Sequence, residues 1–420
     1  MCDNSTKVEF YIPMRFIISR VLLGFIFVFI PVLNVWPQAI NSDGTMAASN
    51  LGRTRVWPSP SLEKPSGMAW AVSNLFTLRE SMNFVDRPGP FTVYGAIPTG
   101  QYFTEPVFAS GNLYFTGFFD AGYVFALDGG NGKRLWLLKY KAAVSSLTIA
   151  GDSAYFGDGA GNFYAVDVRT GAERWRYVAK NRNLSRSSPV VSNGAVYFSS
   201  AEEYDPTRSQ QSFNSNENLY SLDANTGAEK WVYKAKGILI SPAILRDTIY
   251  VASMAQHLFA IDEKTGQERW KASLDHSPIS IAVAEGSVYV RDYKGNLRAF
   301  SVNDGNPLPN VFKSYQIGSS IAIDKNRIIF GTFDKNVVAV DRMDGSSLWK
   351  YETVKPCNGP VIAGNAVYFS CGERVLYAVD LSTGKELWKF RFEARYISTP
   401  VLSEGNLYFI DRDGRGFKMY

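Results

Sequence analysis

The chain has 420 residues, 46% of them hydrophobic and 14% aromatic, and this length alone would suggest two or three domains. Its 44 basic and 39 acidic residues give a net charge of +5 without a basic block, so binding to nucleic acid is not indicated.

An apolar run lies near the N-terminus, at residues 21–35, and it follows Arg15 and Arg20. It fits an uncleaved signal anchor, and it fits equally a cleaved signal peptide that starts at Met14. Both alternatives place the rest of the chain outside the cytoplasm, either membrane-anchored or secreted, and in the periplasm if the cell is Gram-negative. Residues 1–40 are therefore expected to be the targeting segment.

Residues 41–89 are rich in proline and have few repeat features. They are expected to be a linker, with a short helix around residues 69–82.

The pattern A-x-D-x-x-x-G-x-x-x-W then occurs six times, with Ser221 replacing Ala in one copy. Successive Trp residues are 39 apart in three cases, 56 in one and 79 in one. The 56-residue interval contains about 17 extra residues, at 201–217. The 79-residue interval contains two units, of which the first has Pro309 in place of Trp. Units of about 40 residues that are built of short β-branched and aromatic runs predict the blades of a β-propeller.

Each unit contains four short strands, which we name A to D. Six blades end in a Trp-bearing strand D, and the unit with Pro309 is a seventh. The residues after Trp388 supply strands A to C of an eighth blade, and we expect residues 90–96 to supply its strand D. The fold class is therefore all-β: an eight-bladed β-propeller of four-stranded antiparallel blades, residues 90–420, closed by strands from both termini.

The repeated residues have mechanical roles. Asp and Gly form the turn between strands C and D, since Gly accepts a positive φ and the Asp carboxylate accepts backbone N–H groups. Trp offers a flat ring for packing between blades and one N–H to satisfy. The predicted docking residues are Trp136, Trp175, Trp231, Trp270, Trp349 and Trp388.

This pattern resembles the tryptophan-docking motif of the quinoprotein (PQQ-dependent) dehydrogenases and of the PQQ-like repeat family, over residues 91–420. The short loops and the predicted export are similar to the propeller component of the outer-membrane β-barrel assembly machinery. The resemblance implies a propeller that either carries PQQ with calcium or acts as a scaffold with no cofactor. The enzymes of the family have an adjacent Cys-Cys pair over the quinone, and this chain has none.

Cys357 and Cys371 flank the hairpin of strands A and B in blade 7, directly opposite each other. A disulfide and two separate buried thiols are both compatible with this placement.

The loops D–A and B–C share one face of a propeller, where ligands or partners usually bind. Candidate partner contacts on this face are Tyr204 and Phe213 in the long insert, together with Arg182, Arg186 and Arg395. Two isolated histidines, His257 and His276, select no metal site. We expect a monomeric ring that binds a protein partner through this face and associates with a membrane through its N-terminal segment. No catalytic, metal or cofactor residue is assigned, so a scaffold is favoured over an atypical PQQ-dependent dehydrogenase that oxidises an alcohol or sugar.

Overall fold

Short runs of Val, Ile, Tyr and Phe, separated by Gly- and Asn-containing turns, form the strands of eight small sheets. The computed structural model describes residues 56–57, 68–72, 102–104, 106–118, 120–179, 182–201, 216–284, 286–309, 312, 315–372, 374–392, 398–403, 405–411 and 416–419. These residues all belong to one unit, Leu33–Tyr420. They contain strands and turns but no helix, and the eight-bladed propeller predicted from the repeats is confirmed.

The strands are as follows, in the order A to D within each blade. Blade 1 contains Tyr102–Phe103 with Val107–Ala109, then Asn112–Phe118, Gly122–Asp128 and Arg134–Tyr140, and blade 2 contains Thr148–Ala150, Ser153–Gly157, Asn162–Asp167 and Glu173–Val178. Blade 3 contains Val190–Ser192, Ala195–Ser199, Asn216–Asp223 and Glu229–Lys236, and blade 4 contains Ala243–Leu245, Thr248–Ser253, His257–Asp262 and Glu268–Ser273. Blade 5 contains Pro278–Ala284, Ser287–Asp292 and Leu297–Ser301, and blade 6 contains Ile317–Ile323, Arg327–Thr332, Asn336–Asp341 and Ser347–Glu352. Blade 7 contains Val361–Ala363, Ala366–Cys371, Val375–Asp380 and Glu386–Arg391, and blade 8 contains Val401–Ser403, Asn406–Ile410, Gly416–Met419 and Met68–Val72.

Strands A of neighbouring blades contact one another, so they surround the axis of the ring, and strands D form its outer wall. The core lies between the blades rather than within any one of them. Tyr114 and Trp136 of blade 1, for example, belong to the same buried cluster as Phe156 and Tyr164 of blade 2. Because each core is shared by two sheets, no blade can bury its apolar surface alone.

The last blade is closed by a strand from the N-terminal part of the chain, as expected, but by a different one. Met68–Val72 pairs antiparallel with Gly416–Met419 and takes the position of strand D. The expectation that residues 90–96 occupy this position is therefore wrong, and those residues lie outside the described part. The expected helix is also wrong over residues 69–72, which lie in this strand within the stretch interpreted as a linker.

A further short strand, Val56–Trp57, pairs in parallel with Ile362 and Ala363 of strand A in blade 7. Since strand A is the innermost strand of its blade, this segment lies on the inner side of that sheet.

Blade 5 is the degenerate unit and has three strands among the described residues. In place of a strand D, Pro307 forms an isolated bridge with Phe300, and the N–H of Leu308 donates to the carbonyl of Ala299 at 2.9 Å. Pro309 is exposed. Phe312 is buried with Tyr289 of blade 5 and Ile328 of blade 6, so a different aromatic ring fills this junction.

Five of the six docking Trp residues form a described hydrogen bond to the blade that follows them. The indole N–H donates to a backbone carbonyl directly after the Asp position of the next repeat. The pairs are Trp136–Val168 (2.9 Å), Trp175–Ala224 (3.0 Å), Trp231–Glu263 (3.1 Å), Trp270–Val302 (3.0 Å) and Trp349–Leu381 (2.9 Å).

The Gly of the next repeat lies under the indole ring. A Cβ atom built on Gly227 would be 2.6 Å from Trp175 Cε3, a similar overlap occurs at Gly266, Gly305 and Gly384, and the approach at Gly171 is 3.1 Å. The φ angle of Gly227 is also positive, at 73°. This position therefore requires Gly for two independent reasons, the backbone conformation and the close approach of a ring.

The Asp of each repeat organises the same turn. Asp262 Oδ1 accepts hydrogen bonds from the N–H groups of Lys264 (3.1 Å) and Thr265 (2.8 Å), and Oδ2 accepts from Arg269 (2.7 Å). The Arg269 guanidinium and these turn donors lower the pKa of Asp262 to about 2. The carboxylate that anchors the turn is therefore ionised at neutral pH.

Gly227→Ala should destabilise the protein by about 3 kcal/mol, because it adds both the cost of a left-handed Ala and overlap with Trp175. Gly194→Ala is the matched control: it lies in the same blade with φ 71°, but nothing lies within 4 Å of its Cβ position. The control should cost about 1 kcal/mol. Chemical denaturation measures both values, and equal losses would contradict the docking of Trp175 on Gly227.

Removal of the closing strand should expose one edge of Gly416–Met419. A chain that starts at residue 75 should therefore self-associate, whereas a chain that starts at residue 61 keeps Met68–Val72 and should remain monomeric. Light scattering after size-exclusion chromatography distinguishes the two. Monomeric behaviour of both chains would mean that Met68–Val72 does not close the ring.

Candidate functional site

Two faces of the ring differ in construction. One face consists of the A–B and C–D turns, and we call it the turn face. The other consists of the D–A and B–C loops, and we call it the loop face. The docking of Trp on the C–D turns uses the turn face for packing, so the loop face is where side chains are available for binding.

A buried carboxylate organises the B–C loop of blade 2. Asp158 Oδ1 accepts the N–H groups of Ala160 (3.0 Å) and Asn162 (2.8 Å), and Oδ2 accepts from the Asn162 amide and the Tyr164 hydroxyl, both at 2.9 Å. All four partners come from the same blade. The carboxylate therefore builds the loop and has little remaining capacity to bind a ligand.

The B–C loop of blade 5 repeats this arrangement. Asp292 Oδ1 accepts the N–H groups of Lys294 and Asn296, both at 2.9 Å, and Oδ2 accepts from the Asn296 amide at 2.7 Å. His276 Nδ1 lies 3.1 Å from the same Oδ2. The shared sequence D-x-x-G-N, at 158–162 and 292–296, marks these loops, but the interpretation of the sequence did not use it.

The insert of blade 3 begins and ends on buried residues. Glu217 has no solvent exposure; its Oε2 accepts from Ser200 Oγ at 2.9 Å and lies 3.3 Å from Arg182 Nη1. Ala201 is also buried, and it pairs with Asn183. The 201–217 segment is thus not wholly a surface loop, because its two ends belong to the blade.

The predicted partner contacts fall into three groups. Arg182 is engaged with the buried Glu217. Arg186 is half-buried in the turn between blades 2 and 3. Tyr204, Phe213 and Arg395 lie outside the described residues. Arg182 and Arg186 are thus the two predicted contacts that the structure describes, and both lie on the loop face.

The two cysteines of blade 7 lie at the loop face. Their sulfur atoms are bonded in the structure, at 1.97 Å, and both residues are buried. The bond joins the end of the D–A loop that enters blade 7 to the end of strand B.

The chain matches one family over most of its length. The model of the family described as outer membrane protein assembly factor BamB matches residues 93–214, 215–370 and 334–419. The chain belongs to this family.

Solved structures of BamB-like propellers and of other propellers share the fold. BamB from Moraxella catarrhalis is 20% identical, with a TM-score of 0.57, and the match covers 75% of this chain and 92% of that chain. Quinohemoprotein alcohol dehydrogenase ADHIIG from Pseudomonas putida HK5 is 13% identical, with a TM-score of 0.62, over 92% of this chain and 80% of that chain. The computationally designed Ika8 protein is 13% identical, with a TM-score of 0.64, over 76% and 96%. At these identities the similarity establishes the fold alone. No curated protein sequence matches the chain.

The fit of calcium to this BamB-family chain can be assessed from its donor groups. Calcium requires six to eight oxygen ligands. Within the described ranges, no group of three or more His, Cys, Asp or Glu side chains could hold a metal ion. The carboxylates of Asp158 and Asp292 are already occupied by their own loops. The described residues therefore do not fit the calcium that PQQ would bring.

The apolar run at residues 21–35 lies outside the described residues, so the structure does not place it. In the part of the chain that is described, no helix is long and apolar enough to span a membrane.

Arg182→Met should lower the free energy of unfolding by about 3 kcal/mol, because it leaves the Glu217 carboxylate buried without its cation. Arg186→Met is the control on the same loop, and it should change the stability by less than about 0.5 kcal/mol. Thermal and chemical denaturation measure both. If the two variants lose the same stability, Arg182 is a surface residue like Arg186.

Proposed function

We propose that this protein is a non-catalytic, exported β-propeller that binds a protein partner through its loop face. The observation that carries the proposal is membership of the BamB family over residues 93–419, which are almost the entire ring. The family is described as an outer-membrane assembly factor, and such a role requires contact with other proteins. The propeller would lie outside the cytoplasm as a monomeric ring, and the N-terminal segment would associate it with a membrane.

The chemistry of the loop face supports a scaffold. Asp158 and Asp292 are buried carboxylates of the loop face, but each accepts several hydrogen bonds from its own loop. A catalytic base needs a lone pair directed at its substrate. These carboxylates instead make the loops rigid, which favours a preformed contact surface.

The contact would use the insert of blade 3 and the arginines beside it. Tyr204 and Phe213 would supply aromatic anchors, and Arg186 and Arg395 would supply planar cations that pair and stack. Arg182 would contribute by holding Glu217 and the base of the insert, rather than through a free guanidinium.

The alternative is an atypical PQQ-dependent dehydrogenase. It is favoured by the similarity to quinohemoprotein alcohol dehydrogenase over 92% of this chain, which concerns the fold. The adjacent cysteines of those enzymes have no counterpart here, since Cys357 and Cys371 are 14 residues apart. Under this alternative the protein would bind PQQ with calcium, although the side chains of the described residues do not form a group that fits calcium.

The double variant Tyr204→Ala, Phe213→Ala should lose capture of the membrane partner while its melting temperature remains unchanged. Met343→Ser, on the turn face, is the control and should retain capture, since Met343 is 81% exposed in a C–D turn. Both would be measured by pull-down from solubilised membranes, with the captured protein identified by mass spectrometry.

The same purified protein should show no quinone absorption band after incubation with PQQ and calcium. Reduction of an artificial electron acceptor in the presence of an alcohol or sugar, dependent on PQQ, would refute the scaffold and establish the dehydrogenase.

A further inference from the structure

Exposed apolar side chains on the loop face are concentrated on blades 5 to 7. Eight large hydrophobic side chains are exposed among the described residues, and three of them lie on D–A or B–C loops. These three are Tyr293, Phe333 and Val354, with 58%, 53% and 66% exposure. The other five are on strands D or on a C–D turn.

The three side chains belong to one continuous surface. Phe333 Cε2 lies 3.1 Å from the Cβ position of Gly295, two residues after Tyr293, and Phe333 Cδ1 lies 3.1 Å from that of Gly318. On the other side, Thr353 N and Oγ1 donate to the carbonyl of Lys335 at 2.9 and 2.8 Å, which places Val354 beside the loop of Phe333. The loops of blades 5 and 6 and the next D–A loop are thus adjacent.

The surface is held rigidly from below. The N–H of Ile317 donates to the carbonyl of Gly295 at 2.8 Å, and the N–H of Phe333 donates to that of Gln316 at 3.1 Å. The Arg291 guanidinium donates to the carbonyl of Ile317 at 3.2 Å. Burial lowers the pKa of Arg291 to about 10, so the side chain remains a cation at neutral pH. A positive charge therefore lies at the Ile317 backbone, which is hydrogen-bonded to Gly295.

Each apolar side chain has a lysine close to it in sequence: Lys294, Lys335 and Lys355. The Lys294 ammonium lies 5.8 Å from the centre of the Tyr293 ring. Within the described part of the chain, none of the three forms a salt bridge. Of the nearby carboxylates, Asp275 pairs with Arg298, while Asp292 lies against His276 and Asp334 accepts a hydrogen bond from the Thr332 hydroxyl.

We propose that Tyr293, Phe333 and Val354, with the ammonium groups of Lys294, Lys335 and Lys355, bind an acidic polypeptide segment that carries apolar side chains. We call these six residues the apolar–lysine surface. The argument is charge complementarity: each of three exposed apolar side chains has next to it in the sequence a lysine that forms no salt bridge among the described residues, and a chain that alternates carboxylates with apolar residues matches both. The proposal deepens the proposed function, because it gives that scaffold a second contact and states the chemistry of its partner.

The probe is a short fluorescein-labelled peptide in which Glu alternates with Phe and Leu, and its binding to the full-length protein is measured by anisotropy. The double variant Tyr293→Ser, Phe333→Ser should bind about tenfold more weakly. The triple variant Lys294→Gln, Lys335→Gln, Lys355→Gln changes only exposed ends of side chains, so it should fold normally and lose affinity to a similar extent. Affinity of the unmodified protein should fall as salt screens the lysines.

The control variant is Met343→Ser, Leu348→Ser, which removes two exposed apolar side chains of blade 6 away from the loop face and should leave binding unchanged. No binding of the peptide to the unmodified protein, or equal weakening in the control, would overturn the proposal. Vesicles with anionic lipid form a separate arm: if the double and triple variants lose vesicle binding but not peptide binding, the surface contacts a membrane and the proposal is wrong. Failure here, with the partner still captured in a manner dependent on Tyr204 and Phe213, would leave the proposed function intact.

Discussion

The contact on which the ring depends is a tryptophan of one blade seated on the turn of the next. Its indole N–H reaches a carbonyl of that turn, and its ring covers a Gly that could not carry a side chain. Since a sheet of three or four short strands cannot bury its own apolar face, the contact must be made at almost every junction. The junction between blades 5 and 6, which has no docking Trp, is filled by Phe312 against Tyr289 and Ile328 instead. Where the docking Trp is missing, another aromatic ring therefore fills its place in the junction, and no gap is left.

The docking contact places packing constraints on the turn face of the ring and not on the loop face. Trp136, Trp175, Trp231, Trp270 and Trp349 each lie against a C–D turn, so the residues of the turn face are constrained by packing. The B–C and D–A loops carry none of these contacts, so an insertion of about 17 residues in blade 3 costs little apart from the entropy of loop closure. Even so, the insert is bounded by the buried Glu217 and Ala201. Packing within the blade therefore constrains the loop face as far as both ends of this insert.

The sequence predicted the features that repeat and missed those that occur once. Six copies of one motif in register predict the number of blades, the missing Trp of blade 5 and the role of Asp in the turns, whereas the three-stranded sheet of blade 5 was not predicted. The closing strand Met68–Val72 carries no motif and is identified only by its pairing with Gly416–Met419. Sequence patterns alone therefore favour the nearby aromatic segment at residues 90–96. In the sequence, Glu217 is one residue of a polar insert. Its burial cannot be predicted there, because a buried carboxylate is recognised only from its partners, which are Arg182 and Ser200. The D-x-x-G-N loops were visible in the sequence, but two copies carry a weaker signal than six.

The unusual features of the ring coincide in space. Blade 5, which lacks the docking Trp and has three strands among its described residues, also contributes Tyr293 and Lys294 to the apolar–lysine surface, next to blade 6 with Phe333. At the other junctions, the demands of packing fix the aromatic residues in the interior. At this junction a buried Phe312 fills the core, and the rings of Tyr293 and Phe333 remain more than half exposed at the surface. Exposed aromatic rings on rigid loops cost solvation free energy, and contact with a partner is the physical circumstance in which that cost is recovered.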